Sequence, residues 1–332
     1  MRQMLRHNVR LSRLILTLIL TLILTLGNYT MNVKQFEQLV YQTCSQSVED
    51  IFSEYPTEYG FEHVEKHGKR QRYLYRPGIT DEAPLLVCHA DTVLQSRAYQ
   101  YNAKTSVVTC AELDDRLGIA ILLLIIQSSG LDCLHLSDCA MLITDNEEIG
   151  QSTSALFASD CKQNPERFGR PNWLLNFDRR GVDSVCYGYE NDTLSSLLRH
   201  CGHTIGSGTC SDISRMESLG VSGVNVGIGY QNEHNLKCSV YLRDTLQSIL
   251  RAESFCSQFG HIRFEFTPPK KHVYAQYNAV VAKPFYKPIK QAQNPYQWTS
   301  DLICDDCRNV SSDCTTLGGF TLCGDCSGSL YT

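Results

Sequence analysis

Acidic residues and histidines recur in five short clusters, and four of these directly follow apolar runs of strand length. In chain order they are CHADTV with His89 and Asp91, ELDDRLGIA with Asp114 and Asp115, TDNEEIG with Glu147 and Glu148, NFDRRG with Asp178, and NEH with His234. Imidazole nitrogens and carboxylate oxygens are the ligands of hydrolytic zinc sites. A metal ion bound to one of two adjacent glutamates would leave the other free to act as a base. Each cluster alone has a simpler interpretation, such as a helix N-cap for the paired aspartates, so the prediction rests on all five occurring together.

The elements that must position these clusters alternate between strand and helix. Strand-length apolar runs are APLLVCHADTV, CAMLITDNEE, PNWLLNFDRR and VSGVNVGIGY, and helix-like segments cover residues 33–55, 114–128, 191–201, 211–219 and 245–259. Several of these runs are apolar on both faces, as in a sheet covered by helices on both sides. The alternation predicts an α/β domain with a largely parallel sheet. Active sites of such sheets lie beyond the carboxyl ends of the strands, where the clusters are placed.

The ordered motifs, with GTCSDISRMESLGVSGVNVGIGY before the last histidine, resemble the di-zinc exopeptidases, a superfamily of zinc aminopeptidases and carboxypeptidases, over residues 85–250. The resemblance implies a three-layer α/β/α domain with a mostly parallel mixed sheet. LDDRLGIA is most similar to the tetrahedral aminopeptidase branch. The gaps between the motifs are too short for the inserted domain of that branch or for the lid of the carboxypeptidase branch. The chain therefore resembles a compact catalytic core.

The resemblance also implies a metal ligand in each motif. His89 and Asp178 would bind one zinc ion. Glu148 and His234 would bind a second zinc ion. Asp114 would bridge the two ions.

Two other motif residues would act without binding metal. Asp91 would hold the imidazole of His89 in place, and Glu147 would be the general base. By the same resemblance, we expect a cis peptide bond between Asp114 and Asp115.

The last histidine is the ligand that departs from the pattern of the superfamily. NEHNLKCSV does not match the usual H-[ST]-x-x-[DE] that follows it. His203 is therefore an alternative to His234.

The C-terminal segment carries a second metal-site pattern. CDDC at 304–307 and CGDC at 323–326 are separated by 15 residues, the spacing of a four-thiolate structural zinc site. The ligands of this zinc-ribbon-like module would be Cys304, Cys307, Cys323 and Cys326, with Cys314 as a substitute. Two disulfides or redox pairs are the alternative.

Composition divides the chain into residues 1–30, an apolar leader; 31–266, the catalytic domain; 267–300, a linker rich in proline, lysine and tyrosine; and 301–332, the zinc-ribbon-like module. The leader has a basic start and an apolar run of 13 residues, Leu14 to Leu26, which is typical of a signal peptide. As a helix this run would be about 20 Å long, too short for a bilayer core of about 30 Å. The alternative is low-complexity sequence ahead of a true start at Met31. Membrane association could occur only through residues 11–26.

The net charge bears on nucleic-acid binding, and the cysteine pattern bears on the redox compartment. The net charge of −5 gives no indication of nucleic-acid binding. Eleven of the 16 cysteines are scattered between Cys44 and Cys256 without the spacing of a disulfide scaffold, which predicts reduced thiols and a cytoplasmic protein. A genuine signal in residues 1–27 would instead imply a secreted or anchored one.

Taken together, these features predict a zinc-dependent metallopeptidase, most simply an aminopeptidase, with two catalytic zinc ions and one structural zinc ion. Its substrate would be a peptide or a small amide. One alternative is an amidohydrolase or deacylase that acts on a small non-peptide amide. Another is an inactive relative of the fold whose zinc-ribbon-like module binds a protein partner.

The zinc-ribbon-like module should fold only with metal, because so short a segment has too few apolar residues for a core of its own. Mass spectrometry of protein from its native host, under non-reducing conditions, should find four free thiols and one chelatable zinc ion in this module, and Met31 as the first residue. Disulfides among the four cysteines, with a mature N-terminus just after Leu26, would contradict both the zinc site and the cytoplasmic location.

Overall fold

The computed structural model describes residues 33–66, 71–96, 98–128, 135–189 and 192–267, together with four short strands between residues 302 and 322. The chain divides into two units, Met1–Pro268 and Pro269–Thr332. The predicted leader, the linker from residue 268 onward and the four tail cysteines lie outside the described residues.

A mixed sheet of seven strands forms the centre of the first unit. The strands of this unit are β1 (Glu62–Lys66), β2 (Gln71–Arg76), β3 (Leu85–His89), β4 (Gln100–Asn102), β5 (Val107–Thr109), β6 (Ala140–Thr144), β7 (Leu174–Arg179), β8 (Ser184–Val185), β9 (Gly223–Gly227) and β10 (Ser239–Tyr241). The large sheet has the order β1-β2-β6-β3-β7-β9-β8, and an antiparallel sheet has the order β10-β5-β4. Strands β6, β3, β7 and β9 are parallel, and the antiparallel pairs lie at the edges.

Helices cover both faces of the large sheet. They are α1 (Val33–Ser45), α2 (Val48–Tyr59), α3 (Leu113–Gln127), α4 (Ser154–Gln163), α5 (Pro165–Phe168), α6 (Asp192–His200) and α7 (Leu242–Phe259), with short 3₁₀ helices at His135–Asp138, Tyr187–Tyr189, Asp212–Arg215 and Glu217–Leu219. Of the helices described, none is both long and apolar enough to span a membrane.

The alternation of side chains in β3 shows why the fold has three layers. Leu86 and Cys88 belong to one apolar core, packed with helices α1, α3 and α7, whereas Leu85 and Val87 belong to a second core, packed with α4. Successive residues of a strand face opposite sides of a sheet, so a strand buried throughout requires cover on both sides. The three-layer α/β/α arrangement with a mixed sheet, expected from the sequence, is confirmed.

A capping box divides the long helix expected at residues 33–55 into α1 and α2. The Ser47 hydroxyl accepts a hydrogen bond from the Asp50 amide, and the Asp50 carboxylate accepts one from the Ser47 amide. Such a box satisfies amide groups that have no partner within a helix and thereby begins a new one. The segment 211–219 forms two 3₁₀ helices rather than a single α-helix.

In the described residues of the second unit, two pairs of short strands are antiparallel. The pairs are β11 (Leu302–Ile303) with β12 (Val310–Ser311), and β13 (Thr315–Leu317) with β14 (Phe320–Leu322).

Helix α3 lies unusually close to the sheet at Gly118. A methyl group there would come within 2.5 Å of the Phe177 carbonyl oxygen of β7 and would also collide with the Asp115 carboxylate. The absence of a side chain therefore allows α3 to pack directly beside the strand that carries Asp178.

We expect Gly118→Ala to destabilise the protein by about 1–3 kcal/mol, because a buried clash with backbone atoms forces local rearrangement. It should also weaken metal binding, since Asp115 accepts a hydrogen bond from the His89 amide. Urea unfolding and zinc titration test the two effects. Wild-type stability in this variant would contradict the close approach of α3 to the sheet.

Candidate metal centre and active site

The structure brings together the five polar clusters at the carboxyl ends of the parallel strands. His89 ends β3, Asp178 lies in β7, and the Glu147–Glu148 pair follows β6. Asp114 begins α3, and His234 lies in the loop between β9 and β10. The predicted ligand residues thus converge on one place although they are spread over nearly 150 residues of sequence.

Asp114 lies between two histidines. Its Oδ1 is 3.4 Å from His89 Nε2, and its Oδ2 is 3.2 Å from His234 Nε2. His89 Nε2 also lies 3.6 Å from Asp178 Oδ1, and His234 Nε2 lies 3.0 Å from Glu148 Oε2. One carboxylate therefore offers an oxygen to each of two imidazole–carboxylate pairs, which is the arrangement expected of a bridging ligand.

Several of these donors are close enough to share an ion. The ligand atoms of His89, Asp114 and Glu148 lie within 4.8 Å of one another, as do those of His89, Asp115 and Asp178. Asp115 is the weaker candidate, because its two oxygens accept hydrogen bonds from the backbone amides of His89 and Gly118. The peptide bond between Asp114 and Asp115 is cis, as expected.

One oxygen of Glu148 fits a metal ligand. Oε1 is buried and has no hydrogen-bond partner among the described residues. A buried carboxylate oxygen without a partner is costly, and an ion held between it and the neighbouring donors would satisfy it. The set of imidazoles and carboxylates is one that zinc accepts.

Burial and neighbouring charges shift the pKa values of the predicted ligands. Burial, reinforced by the neighbouring Asp114, raises the pKa of Asp178 to about 7. Burial also opposes ionisation of Asp114, but the imidazoles of His234 and His89 hold the pKa of Asp114 below its ordinary value. Asp114 and Glu148 raise the pKa of His234 to about 10. Metal binding would displace protons from these groups, because ligands bind metal in their deprotonated form.

Asp91 contributes in two ways. Its carbonyl oxygen accepts a hydrogen bond from His89 Nδ1 at 2.9 Å, so the predicted hold on the imidazole comes mainly from the backbone. Its carboxylate accepts hydrogen bonds from the backbone amides of Glu147 and Glu148 at 3.0 and 2.9 Å. The carboxylate thus fixes the loop that carries the predicted base and a predicted ligand.

Asp178 is held at a break in the strand pairing. The register of β7 and β9 shifts between Asn176 and Arg179. At that break Asn225 accepts a hydrogen bond from the Asp178 amide and donates one to its carbonyl oxygen. The Tyr230 hydroxyl donates to Asp178 Oδ1 at 3.2 Å. Sequence reasoning missed Asn225, which lies within β9, and Tyr230, which ends the apolar run three residues after that strand.

Asp212 holds both ends of the loop that carries Glu147 and Glu148, which we call the glutamate loop. Its buried carboxylate accepts hydrogen bonds from the hydroxyls of Thr144 and Ser152, and its carbonyl oxygen accepts one from Ser154. Thr144 ends β6, and Ser152 precedes α4. The serine–aspartate pair in GTCSDIS was the signal in the sequence, but the spacing did not reveal its contacts.

His203 lies away from the cluster. It is buried against the Ser184 hydroxyl, and burial lowers its pKa to about 4. An open cleft is lined by the predicted ligands Asp114, Glu148 and Asp178. His234 also lines this cleft, whereas His203 does not. The structure thus brings His234, not the alternative His203, to the predicted metal site.

The acidic cluster forms the floor of an open cleft of about 560 Å³. Its lining includes Glu147, Tyr187, Tyr230, the segment 207–210 and the arginines that follow Asp178. Burial raises the pKa of Glu147 to about 8, and the Asp178 and Asp212 charges add to this shift.

Comparisons with known proteins relate this fold to aminopeptidases. No protein-family profile and no curated protein sequence matches the chain. The TET aminopeptidase from a marine-sediment Thaumarchaeota archaeon superposes with a TM-score of 0.51 at 12% identity, over 69% of this chain and 98% of that chain. The TET1 peptidase of Pyrococcus horikoshii superposes with a TM-score of 0.50 at 12% identity, over 70% and 100%. The resemblance to exopeptidases is thereby confirmed at the level of the fold.

We expect Asp212→Asn to destabilise the protein by about 1–3 kcal/mol. The amide has only one acceptor oxygen, so one of the two hydroxyls would face an NH₂ donor and would have to reverse its hydrogen bond. The freed loop should also lower zinc affinity at Glu148. Urea unfolding and zinc titration measure both effects. Asp192→Asn, the same change on the exposed start of α6, is the matched control and should shift stability by less than about 0.5 kcal/mol. Equal effects of the two substitutions would contradict the anchoring role.

Proposed function

We propose that this protein is a di-zinc aminopeptidase. The observation that carries the proposal is the Asp114 carboxylate, with one oxygen toward His89 and the other toward His234. His89 and Asp178 would hold one ion, and Glu148 and His234 would hold the other. The fold shared with TET aminopeptidases supports a peptidase. The scattered and mostly buried free thiols of the first unit support a cytoplasmic location.

The chemistry follows from the residues around the cluster. When bound, two zinc ions would polarise the scissile carbonyl and acidify a water molecule. Glu147 lies beside the ligand Glu148 and faces the cleft. Its carboxylate takes the proton of the attacking water and then gives it to the departing amine. Asp91 fixes the position of this carboxylate, because it accepts hydrogen bonds from the backbone amides of both glutamates.

The proposal predicts different failures at the base and at the bridge. Glu147→Gln should retain zinc and lose hydrolysis by about a hundredfold to ten-thousandfold, because an amide cannot accept the proton. Asp114→Asn should lose zinc as well, because it removes charge that both ions share. The measurements are zinc content per chain and turnover of a panel of aminoacyl and N-acyl amides.

Asp192→Asn serves again as the control and should match the wild type in both measurements. Hydrolysis by Glu147→Gln at the wild-type rate would contradict the assignment of the base. Turnover of N-acyl amides alone would replace the aminopeptidase with a deacylase. A wild-type core that binds no zinc would remove the catalytic proposal altogether.

A further inference from the structure

Two arginines line the cleft and have no part in the proposed hydrolysis. Arg179 and Arg180 directly follow the predicted ligand Asp178. Neither arginine is a predicted metal ligand, so the role of each depends on what else it contacts.

Arg179 is largely buried and is held by the protein through Nε and Nη2. Its Nε and Nη2 donate to the two carboxylate oxygens of Asp183 at 3.0 and 2.7 Å, and Nη2 also donates to the Ser207 carbonyl oxygen at 3.1 Å. Only 17% of its side chain is exposed. Arg179 therefore fastens one wall of the cleft and has little capacity for a ligand.

Arg180 is different, because its guanidinium is oriented but still accessible. Nη1 donates to Glu233 Oε1 at 2.5 Å, and 67% of the side chain is exposed. In the described part of the chain, its other N–H groups have no protein partner. An arginine has five N–H donors in a rigid fork, so the single contact to Glu233 fixes its direction and leaves an edge open.

The charge of the floor determines what this open edge can attract. Two divalent ions would balance the four carboxylates Asp114, Glu147, Glu148 and Asp178. The floor would then no longer repel an anion. A planar guanidinium matches a carboxylate through two parallel hydrogen bonds.

We propose that Arg180 binds a carboxylate of the substrate, so that the preferred substrates are peptides with an anionic group beyond the cleaved bond or on the N-terminal side chain. This inference rests on the proposed peptidase function and specifies its substrate class. Glu233 acts as the positioning residue for the guanidinium.

The test compares substrates that differ by one charge. One pair is a dipeptide and its C-terminal amide, and the other is a glutamyl and a glutaminyl anilide. The zinc-loaded wild type should show a KM lower by about tenfold to a hundredfold for the anionic member of one pair, the range of a charge-assisted hydrogen bond. The responding pair identifies whether the carboxylate is terminal or on the side chain. Arg180→Gln should abolish the difference, whereas Arg199→Gln, on the exposed end of α6, should retain it.

Calorimetry in the Glu147→Gln background makes the result independent of turnover. Zinc-loaded Glu147→Gln should bind the anionic peptide more tightly than its neutral partner, and the Arg180→Gln double variant should bind both equally. Absence of discrimination in the wild type and in this background, discrimination that persists without Arg180, or no peptide binding at all would overturn the inference. Charge discrimination in binding without hydrolysis would uphold it and reject the proposed function instead.

Discussion

The concentration of negative charge at one end of the sheet is the constraint on which the rest of the structure depends. Four carboxylates face one cleft, those of Asp114, Glu147, Glu148 and Asp178. Like charges that share one site cannot all remain ionised without cations among them. The imidazoles of His89 and His234 lie between these carboxylates and provide one source of positive charge. Divalent ions would provide a stronger one.

Such a cluster stays together only if the backbone around it cannot relax. The central strands are buried on both faces between two apolar cores, which fixes their carboxyl ends. The loop with the two glutamates lies beyond the end of β6, so sheet hydrogen bonds do not hold it. The Asp91 carboxylate accepts hydrogen bonds from the two glutamate amides. The Asp212 carboxylate accepts hydrogen bonds from hydroxyls at the two ends of the loop. Two carboxylates that need not touch metal therefore determine where the neighbouring carboxylates lie.

The parts of the fold that the sequence could predict are those with a strong local signal. The four parallel strands were predictable because each is a short run that is apolar on both faces. The edge strands β1 and β4 and the helix α4 were not, because they are short, partly exposed or weakly patterned. The boundary between α1 and α2 was predictable in principle from Ser47 and Asp50, yet the apolar periodicity runs across it.

The site shows the same division between residue type and three-dimensional contact. His89, Asp114, Glu148, Asp178 and His234 could be selected by motif, because each follows or precedes a recognisable element. The contacts of Asp212, Asn225 and Tyr230 could not, because their partners lie far away in sequence. Asp91 illustrates the limit: its position was foreseen, but its carboxylate binds the amides of the glutamate loop while its carbonyl oxygen holds His89.

The break between β7 and β9 connects the predicted metal site with the two arginines of the cleft. In a regular strand, adjacent side chains face opposite sides of the sheet, so Asp178 and Arg179 could not both line one cavity. The register shift between Asn176 and Arg179 removes that restriction, and Asn225 replaces the missing ladder bonds with its side-chain amide. Irregularities of this kind re-aim side chains beside active sites. One local departure from strand geometry thereby places a predicted metal ligand, a largely buried arginine bound to Asp183 and an exposed arginine in three consecutive positions.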